Sequence, residues 1–199
     1  MPLLLRTALV LLALLCGGRA GGQNGDGRFV GVATVIDGDT IEIHGRRIRF
    51  HGIDAPEASQ TCARDGDAWP CGRRAAEALH DFLGRRPVEC IGEKVDRYGR
   101  SDARCTVDGA DVEAWMVRQG WALAYRRYSS DYADDEAAAR AEGLNIWSGT
   151  MVVPERYRRD QEAVARHART ITDCARPPRQ SSASAPDRTP HAESGCDRN

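Results

Sequence analysis

Alternating apolar and polar residues define a series of short strands in the first third of the chain. The segments are FVGVATVI from Phe29, TIEIH from Thr40 and RRIRFHGI from Arg46. In the third segment Ile48 and Phe50 share one face and Arg49 points to the other, because successive side chains of a strand alternate. Gly45 stands where a turn has to join the last two strands. The pattern therefore predicts an antiparallel hairpin with its turn at Gly45.

Helical periodicity and two further strand patterns follow this hairpin. Residues 58–72 are expected to form a loop. Helices are predicted over Gly72–Leu83, Val112–Gln119 and Tyr132–Glu142, each followed directly by a glycine. Strands are predicted over Val88–Ile91 and Asp102–Val107, joined by the segment GEKVDRYGRS. The chain is thus expected to form three strands, a helix, two strands and two helices.

Composition divides the chain of 199 residues into a leader, one domain and a tail. Residues 1–20 combine Arg6, an apolar run and small residues at the end, which predicts a signal peptide and an exported, soluble protein. Residues 21–27 are expected to be a flexible leader, and residues 28–159 the folded domain. Residues 160–199 contain few bulky apolar groups and include a Pro- and Ser-rich stretch from Pro177 to Pro190, which predicts a mobile C-terminal tail.

The expected location follows from the leader, although the pattern fits the periplasm and the extracellular medium equally well. No other stretch is long and apolar enough to span a bilayer, so no stable membrane association is expected after signal cleavage. A monomer is expected.

The charge balance argues against a passive binder of polyanions. The net charge is −1, and removal of Arg6 and Arg19 with the leader would change it to −3. A non-specific nucleic-acid binder often shows a basic field instead. All basic residues except Lys94 are arginine, so any one arginine is weak evidence and its position has to carry the argument.

An even number of cysteines remains after cleavage, which in an exported chain favours disulfides. The expected pairs are Cys62–Cys71, Cys90–Cys105 and Cys174–Cys196. Cys90 and Cys105 are equidistant from the midpoint between Arg97 and Tyr98, so a symmetric hairpin would place them opposite each other. No CxxC pair exists and the five histidines are scattered, so a zinc site is not expected.

Three acids lie around the first hairpin. Asp39 stands at its head and Asp54 just past its far end, so antiparallel pairing returns both to one edge of the sheet. Each acid alone is an ordinary turn residue. Two carboxylates at one edge need compensation for their repulsion, and a hard cation such as Ca²⁺ supplies it. With Glu57 and Arg49 close in sequence, the group indicates chemistry on a phosphate.

The segments IDGDT, RIRFHGIDAPE, DRYGR, VRQGWALAY and GLNIWSG together resemble the thermonuclease (staphylococcal nuclease) family. The resemblance runs in order from Val30 to Trp147 and so covers the predicted domain. It implies an α+β fold: a five-stranded OB-fold β-barrel with three helices, a scaffold that commonly binds oligonucleotides. It also implies a calcium-dependent phosphodiesterase that acts on DNA and RNA and leaves 3′-phosphates.

The resemblance assigns roles to individual residues. Glu57 matches the family's proposed general base, and Arg49 and Arg100 match its two phosphate-binding arginines. The matching metal ligands are Asp39, Asp54 and the backbone carbonyl of Ala55, where the family often has threonine. The matching substrate contacts are Asp96, Arg97 and Tyr98, beside the terminal phosphate, and Tyr125, with Tyr128 as a further candidate in the nucleotide pocket.

Two other functions stay open at this point. A non-catalytic nucleic-acid-binding OB module would share the fold, but it would have little reason to keep Glu57 together with both arginines. A disulfide-stabilised envelope protein that interacts through its tail would lose its function on deletion of residues 160–199, whereas a nuclease would keep its activity.

Overall fold

The computed structural model describes residues 27–175 as a mixed α+β fold. Its strands are β1 (Arg28–Val32), β2 (Thr34–Asp37), β3 (Thr40–Ile43), β4 (Arg46–Phe50), β5 (Ile53–Asp54), β6 (Cys62–Arg64), β7 (Asp67–Trp69), β8 (Pro87–Val95), β9 (Ser101–Val107), β10 (Ala110–Asp111) and β11 (Leu123–Ala124). Its helices are α1 (Cys71–Leu83), α2 (Val112–Arg118), α3 (Ala133–Ala141) and α4 (Pro154–Ala175), with a 3₁₀ turn at Asn145–Trp147.

The main sheet has the strand order β1-β8-β9-β4-β3-β2, and β10 pairs with β9. Neighbouring strands are antiparallel except β4 and β9, which run parallel. The sheet edges β1 and β2 are consecutive in the chain and are separated only by Ala33. Gly31 of β1 also lies against the end of β3, since a Cβ on it would be 2.9 Å from Ile43 Cγ2. The sheet therefore curls on itself, in a form compatible with the expected OB-fold barrel.

A continuous apolar core fills the space between the sheet and the helices. Helix α1 contributes Ala75, Leu79 and Leu83, which are spaced four residues apart and so lie on one face. The sheet contributes Ile41, Ile43, Ile48, Phe50, Val88, Ala103 and Val107, and α2 contributes Val112, Met116 and Val117. Burial of a large aliphatic or aromatic side chain stabilises a fold by about 1.5–3 kcal/mol. This core fixes the sheet whose edge carries the acids.

The two disulfides in the described domain join the residues that the sequence pairs. Cys62 is bonded to Cys71 and Cys90 to Cys105. Cys90 faces Cys105 in the register of β8 and β9, although the register shifts by one residue between Ile91 and Lys94, nearer the turn. A disulfide typically stabilises a small domain by about 2–4 kcal/mol. The expected pairing of Cys174 with Cys196 lies outside the described residues.

The structure adds elements that the sequence-based expectation lacked, above all in residues 58–72 and beyond residue 150. Residues 58–72, expected to be a loop, contain the short hairpin of β6 and β7, which the Cys62–Cys71 disulfide closes onto the start of α1. Three helices were expected, and α4 is a fourth: it runs through residue 159, where the domain was expected to end. Most of α4 beyond Arg158 is exposed, so no buried apolar face marks it in the sequence.

The leader and most of the tail lie outside the described residues. The expected signal peptide over 1–20, nearly all of the flexible leader and the tail beyond residue 175 therefore remain predictions. Within residues 27–175, no helix has the length and apolar character needed to cross a bilayer.

Candidate active site

The hairpin of β3 and β4 brings two acids onto one arginine. Arg49 lies opposite Thr40 in the hairpin, next to Asp39. Its Nη1 donates to Asp39 Oδ1 at 2.7 Å, and its Nη2 donates to Asp54 Oδ1 at 2.8 Å. Both acids are buried, with 3% and 1% of their surface exposed. Burial lowers the pKa of Arg49, but the charges of Asp39 and Asp54 outweigh this and raise it overall.

The Asp39 carboxylate is also held by its own turn and by the chain that follows β5. Its Oδ1 accepts from the Thr40 hydroxyl at 3.0 Å, and its Oδ2 accepts from the Ala55 backbone N–H at 3.1 Å. Asp37 lies beside it and accepts the Asp39 backbone N–H at 3.0 Å. Burial, followed by the charge of Asp39, raises the pKa of Asp37 to about 7. The turn therefore concentrates negative charge in a poorly solvated place.

Glu57 is positioned by tight packing of its backbone. A Cβ on Gly72, in the first turn of α1, would lie 1.7 Å from the Glu57 carbonyl oxygen, so only glycine permits this approach. Gln60 is fully buried beside it and makes a hydrogen bond to Glu57 in each direction: its backbone N–H donates to the Glu57 carbonyl at 2.7 Å, and its Oε1 accepts from the Glu57 N–H at 3.3 Å. The Glu57 side chain remains about one third exposed, with 32% of its surface accessible.

A second arginine reaches these acids from α4. Arg158 Nη1 donates to Asp54 Oδ1 at 3.0 Å and to Glu57 Oε1 at 2.6 Å, and its Nη2 donates to Asp54 Oδ2 at 3.2 Å. Burial lowers the pKa of Arg158, but the hydrogen bonds and charges of Asp54 and Glu57 outweigh this and raise it overall. Arg158 thus joins Asp54 of β5 to Glu57 of the following loop.

A cavity of about 880 Å³ opens above this network. Its lining includes Arg49, Glu57, Asp96, Arg97, Tyr98, Arg100, Tyr125, Tyr128, Arg158 and Arg159. The buried acids Asp39 and Asp54 lie beneath this lining. The whole lining contains seven arginines and six carboxylates, so the positive groups are in slight excess, which suits an anionic substrate.

The turn between β8 and β9 forms a separate wall of the cavity. Asp96 Oδ1 accepts the backbone N–H groups of Tyr98 and Arg100 at 2.8 and 3.0 Å, and its Oδ2 accepts from Arg100 Nε at 2.8 Å. Burial acts in the opposite direction, but these hydrogen bonds lower the pKa of Asp96. Arg97 and Arg100 also lie over the Tyr98 ring, at 4.9 and 5.4 Å from its centroid.

An aromatic pair completes the cavity near β5. The backbone N–H of Tyr125 donates to the Gly52 carbonyl at 2.8 Å, directly after β11 pairs with β5. The Tyr125 and Tyr128 rings are tilted against each other with their centroids 4.9 Å apart. Aromatic faces at the rim of an arginine-lined cavity can stack with nucleobases.

The structure gathers most of the residues singled out from the sequence, in two groups. Asp39, Arg49, Asp54 and Glu57 form one continuous network, which Arg158 links across Asp54 and Glu57. Arg100 is bound to Asp96 within its own turn and shares only the cavity with that network. Ala55 contributes its backbone N–H to Asp39.

Sequence reasoning missed Arg158, Gln60 and Asp37. Arg158 could not stand out among so many arginines, and its segment lay at the expected end of the domain. No pattern in the sequence marks Gln60, because its role depends on its complete burial in the fold. Asp37 lies in the quoted segment IDGDT, so its position beside Asp39 was the one available signal.

The donor chemistry of this site fits a hard cation. Two buried carboxylates, Asp39 and Asp54, both approach the Arg49 guanidinium, and Ala55 follows Asp54 directly. Burial and, after it, the charge of Asp39 raise the pKa of Asp37, and a cation would relieve the second of these effects. In residues 27–175, however, no group of three or more His, Cys, Asp or Glu side chains is arranged to hold a metal ion. A cation here would rest on two carboxylates, backbone carbonyls and water.

Comparison with known proteins relates this chain to one protein family. A family profile described as "Staphylococcal nuclease homologue" matches residues 47–149, about half of the chain. The chain is 39% identical to the succinoglycan biosynthesis protein ExoI of Rhizobium meliloti (strain 1021), over 69% of this chain and 73% of that protein.

Two further relatives are named as nucleases. The chain is 33% identical to a micrococcal nuclease of Shigella flexneri, over 59% of this chain and 72% of that protein. It is 29% identical to an uncharacterized endonuclease of Haemophilus influenzae (strain ATCC 51907 / DSM 11121 / KW20 / Rd), over 66% of this chain and 73% of that protein. The chain therefore belongs to the staphylococcal nuclease family. This membership supports nuclease function and nucleic-acid substrates.

Proposed function

We propose that this protein is an exported, calcium-dependent endonuclease that hydrolyses phosphodiester bonds in DNA and RNA with low sequence specificity and leaves 3′-phosphates. One observation carries the proposal: Glu57, Arg49 and Arg100 line the same cavity, directly above the buried acids Asp39 and Asp54. A carboxylate and two guanidinium groups around one space can activate a water molecule and stabilise the charge that develops as a phosphodiester is hydrolysed.

Asp39, Asp54 and the Ala55 carbonyl would hold the cation. When bound, Ca²⁺ would polarise the phosphate oxygens and help to orient the attacking water. Arg49 keeps the two carboxylates together, because it donates to one oxygen of each. The chain thus supplies a pair of hard oxygen ligands that are already close to each other.

Glu57 would receive or position the proton of the attacking water. Its side chain is partly exposed to the cavity, and its backbone is fixed by Gly72 and Gln60. A rigid backbone beneath a partly solvated carboxylate suits a general base, because the group must reach water and still keep a defined direction.

Arg49 and Arg100 would bind the phosphate from two walls of the cavity. A guanidinium can donate two parallel hydrogen bonds to phosphate oxygens, and these bonds strengthen as charge develops in the transition state. Asp96, Arg97 and Tyr98 would form the contact to a terminal phosphate, and Tyr125 and Tyr128 would stack with a base.

Export is supported by the two disulfides, because such bonds persist in oxidising compartments. A periplasmic or extracellular location is therefore proposed, and we expect a monomer there. Edman sequencing of the protein recovered from the producing cells would show whether the mature chain begins near residue 21.

The central test is degradation of single- and double-stranded DNA and RNA in calcium and in a calcium chelator. We expect activity only with calcium. Glu57→Gln and Arg100→Ala should each lose about 10²–10³-fold in kcat. Glu77→Gln and Arg74→Ala are matched controls, because these residues pair with each other on the exposed face of α1 and lie outside the cavity lining. Both controls should keep normal activity.

Activity that survives the chelator would refute the calcium dependence. Unchanged activity in Glu57→Gln and Arg100→Ala would refute the proposed roles of these residues. A wild-type chain that binds oligonucleotides without cleaving them under any of these conditions would instead be the non-catalytic OB-fold binding module.

A further inference from the structure

One arginine of α4 occupies both oxygens of an acid in the proposed metal site. Arg158 Nη1 lies 3.0 Å from Asp54 Oδ1, and its Nη2 lies 3.2 Å from Asp54 Oδ2. Arg49 Nη2 also donates to Asp54 Oδ1 at 2.8 Å. Asp54 is 1% exposed, so water contributes little to the stabilisation of its negative charge. Among the described residues, the guanidinium groups of Arg49 and Arg158 form its ion pairs.

A cation bound to Asp54 would need the same oxygen atoms. Calcium approaches carboxylate oxygens to about 2.3–2.6 Å, along the lone-pair directions that hydrogen-bond donors also use. A guanidinium and a cation on one carboxylate also repel each other strongly where water is scarce. Each therefore weakens the attachment of the other.

We propose that Arg158 and the divalent cation compete for Asp54. Arg158 then sets how tightly the metal binds, and the metal sets how firmly the first turns of α4 are attached to the domain. Such a coupling between two binding events is reciprocal by thermodynamic necessity. The inference rests on the proposed metal site and goes beyond it, because it assigns a role to a residue of the C-terminal helix.

The remaining contacts of α4 suit a segment that can shift. Gln60 Nε2 donates to the Val152 carbonyl at 2.6 Å just before the helix, and the Ser59 and Tyr157 hydroxyls lie 3.3 Å apart. The ion pair Arg156–Asp160 lies within the helix itself. Loss of the Arg158 contacts would therefore leave α4 attached at its start and loosen its first turns.

Calorimetric titration of Ca²⁺ into the full chain provides the first test. We expect Arg158→Gln to bind Ca²⁺ roughly tenfold more tightly or better than the wild type, because a positive charge in contact with the ligand carboxylate is removed. Arg158→Lys should fall between them, since one ammonium keeps the charge but cannot cover both oxygens. Arg156→Gln is the matched control: it removes the same charge from the same helix, two residues away, and should change the Kd less than about twofold.

Amide hydrogen exchange of residues 155–160, measured first in the wild type and then in Arg158→Gln, provides a second test. Saturating Ca²⁺ should accelerate exchange there in the wild type, since the cation displaces Arg158. In Arg158→Gln, exchange should already be fast and should no longer respond to Ca²⁺. Thermal unfolding of each variant would show that it is folded.

Three outcomes overturn the competition. They are a Kd in Arg158→Gln equal to that of Arg156→Gln, weaker Ca²⁺ binding in Arg158→Gln, and slower exchange in α4 on addition of Ca²⁺ to the wild type. If one of these outcomes is found and the wild type nevertheless cleaves DNA with Ca²⁺, only the competition fails and the proposed function stands. If neither the wild type nor Arg158→Gln binds Ca²⁺, the competition and the proposed calcium dependence fail together.

Discussion

The two arginines proposed to bind phosphate lie in opposite kinds of environment. Arg49 lies between Asp39 and Asp54, which are ten and five residues away, and its side chain is 18% exposed. Arg100 is bound to Asp96, four residues away in its own turn, where both partners are more exposed. Arg49 therefore compensates buried charge as well as facing the cavity, whereas the ion pair of Arg100 is formed within a single turn. Replacement of an arginine such as Arg49 should therefore lower both stability and activity, whereas replacement of one such as Arg100 should lower activity alone.

The largest effect should come from Arg49→Ala. We expect the free energy of unfolding to fall by roughly 3–5 kcal/mol, because the buried Asp39 carboxylate loses its charged partner. Activity should be lost as well. Urea unfolding measures the first effect and a nuclease assay the second. Arg46→Ala, at an exposed position of the same strand, should stay within about 0.5 kcal/mol of the wild type. If Arg49→Ala and Arg46→Ala were equally stable, Arg49 would not support the fold and would not differ from Arg100 in this respect.

Arg100→Ala should separate activity from stability. The loss of one preorganised donor should cost about 10²–10³-fold in kcat, which corresponds to about 2.7–4 kcal/mol of transition-state stabilisation. The free energy of unfolding should change by less than about 1 kcal/mol, because a partly exposed ion pair within one turn contributes little. A large loss of stability in this variant would mean that Arg100, like Arg49, supports the fold.

Glu113 extends the comparison to a buried acid whose carboxylate is held by a backbone N–H group. It is fully buried in α2, and its two oxygens accept the Cys105 backbone N–H at 3.0 and 3.1 Å. Burial raises its pKa well above the ordinary 4.5. Glu113→Ala should cost roughly 1–3 kcal/mol of stability, since the buried N–H loses its acceptor. Urea unfolding at constant pH measures this loss.

The raised pKa of Glu113 also predicts a pH dependence with a definite sign. Its contribution to stability is complete below about 4.5, where the unfolded chain binds the proton too, and it declines as the pH rises through the higher folded pKa. Glu113→Gln keeps an acceptor for Cys105 and cannot ionise. Its stability relative to the wild type should therefore improve steadily from acidic to neutral pH. A constant difference across this range would contradict the assignment.

The smallest effect should come from Asp96→Asn. The amide keeps an acceptor for the backbone N–H groups of Tyr98 and Arg100 but loses the charge opposite Arg100. Stability should change by less than about 1 kcal/mol. The kcat and KM should change less than in Arg100→Ala, because Arg100 stays present and only its orientation loosens. A kcat as low as that of Arg100→Ala would show that the ion pair itself is required.

Local signals explain which elements were predicted correctly. The hairpin with Gly45 at its turn, the placement of Cys90 opposite Cys105 and the helix ending at Gly84 all follow from patterns within about fifteen residues. The hairpin of β6 and β7 was missed, because its short strands are held by the Cys62–Cys71 disulfide and carry little alternation of their own.

The amino-acid sequence by itself determined the hairpin of β3 and β4, the pairing of β8 with β9, the two disulfides of the described domain and the approach of Asp39 to Asp54. Strand alternation and antiparallel pairing act over short distances, so they can be deduced from the order of residues. Only the tertiary structure decided that Arg158, 104 residues beyond Asp54, lies on that carboxylate, and that Gln60 is buried between the Glu57 loop and the chain entering α4. Such contacts depend on how α4 meets the β-sheet, and no local pattern in an arginine-rich chain distinguishes the one arginine that packs there from the others.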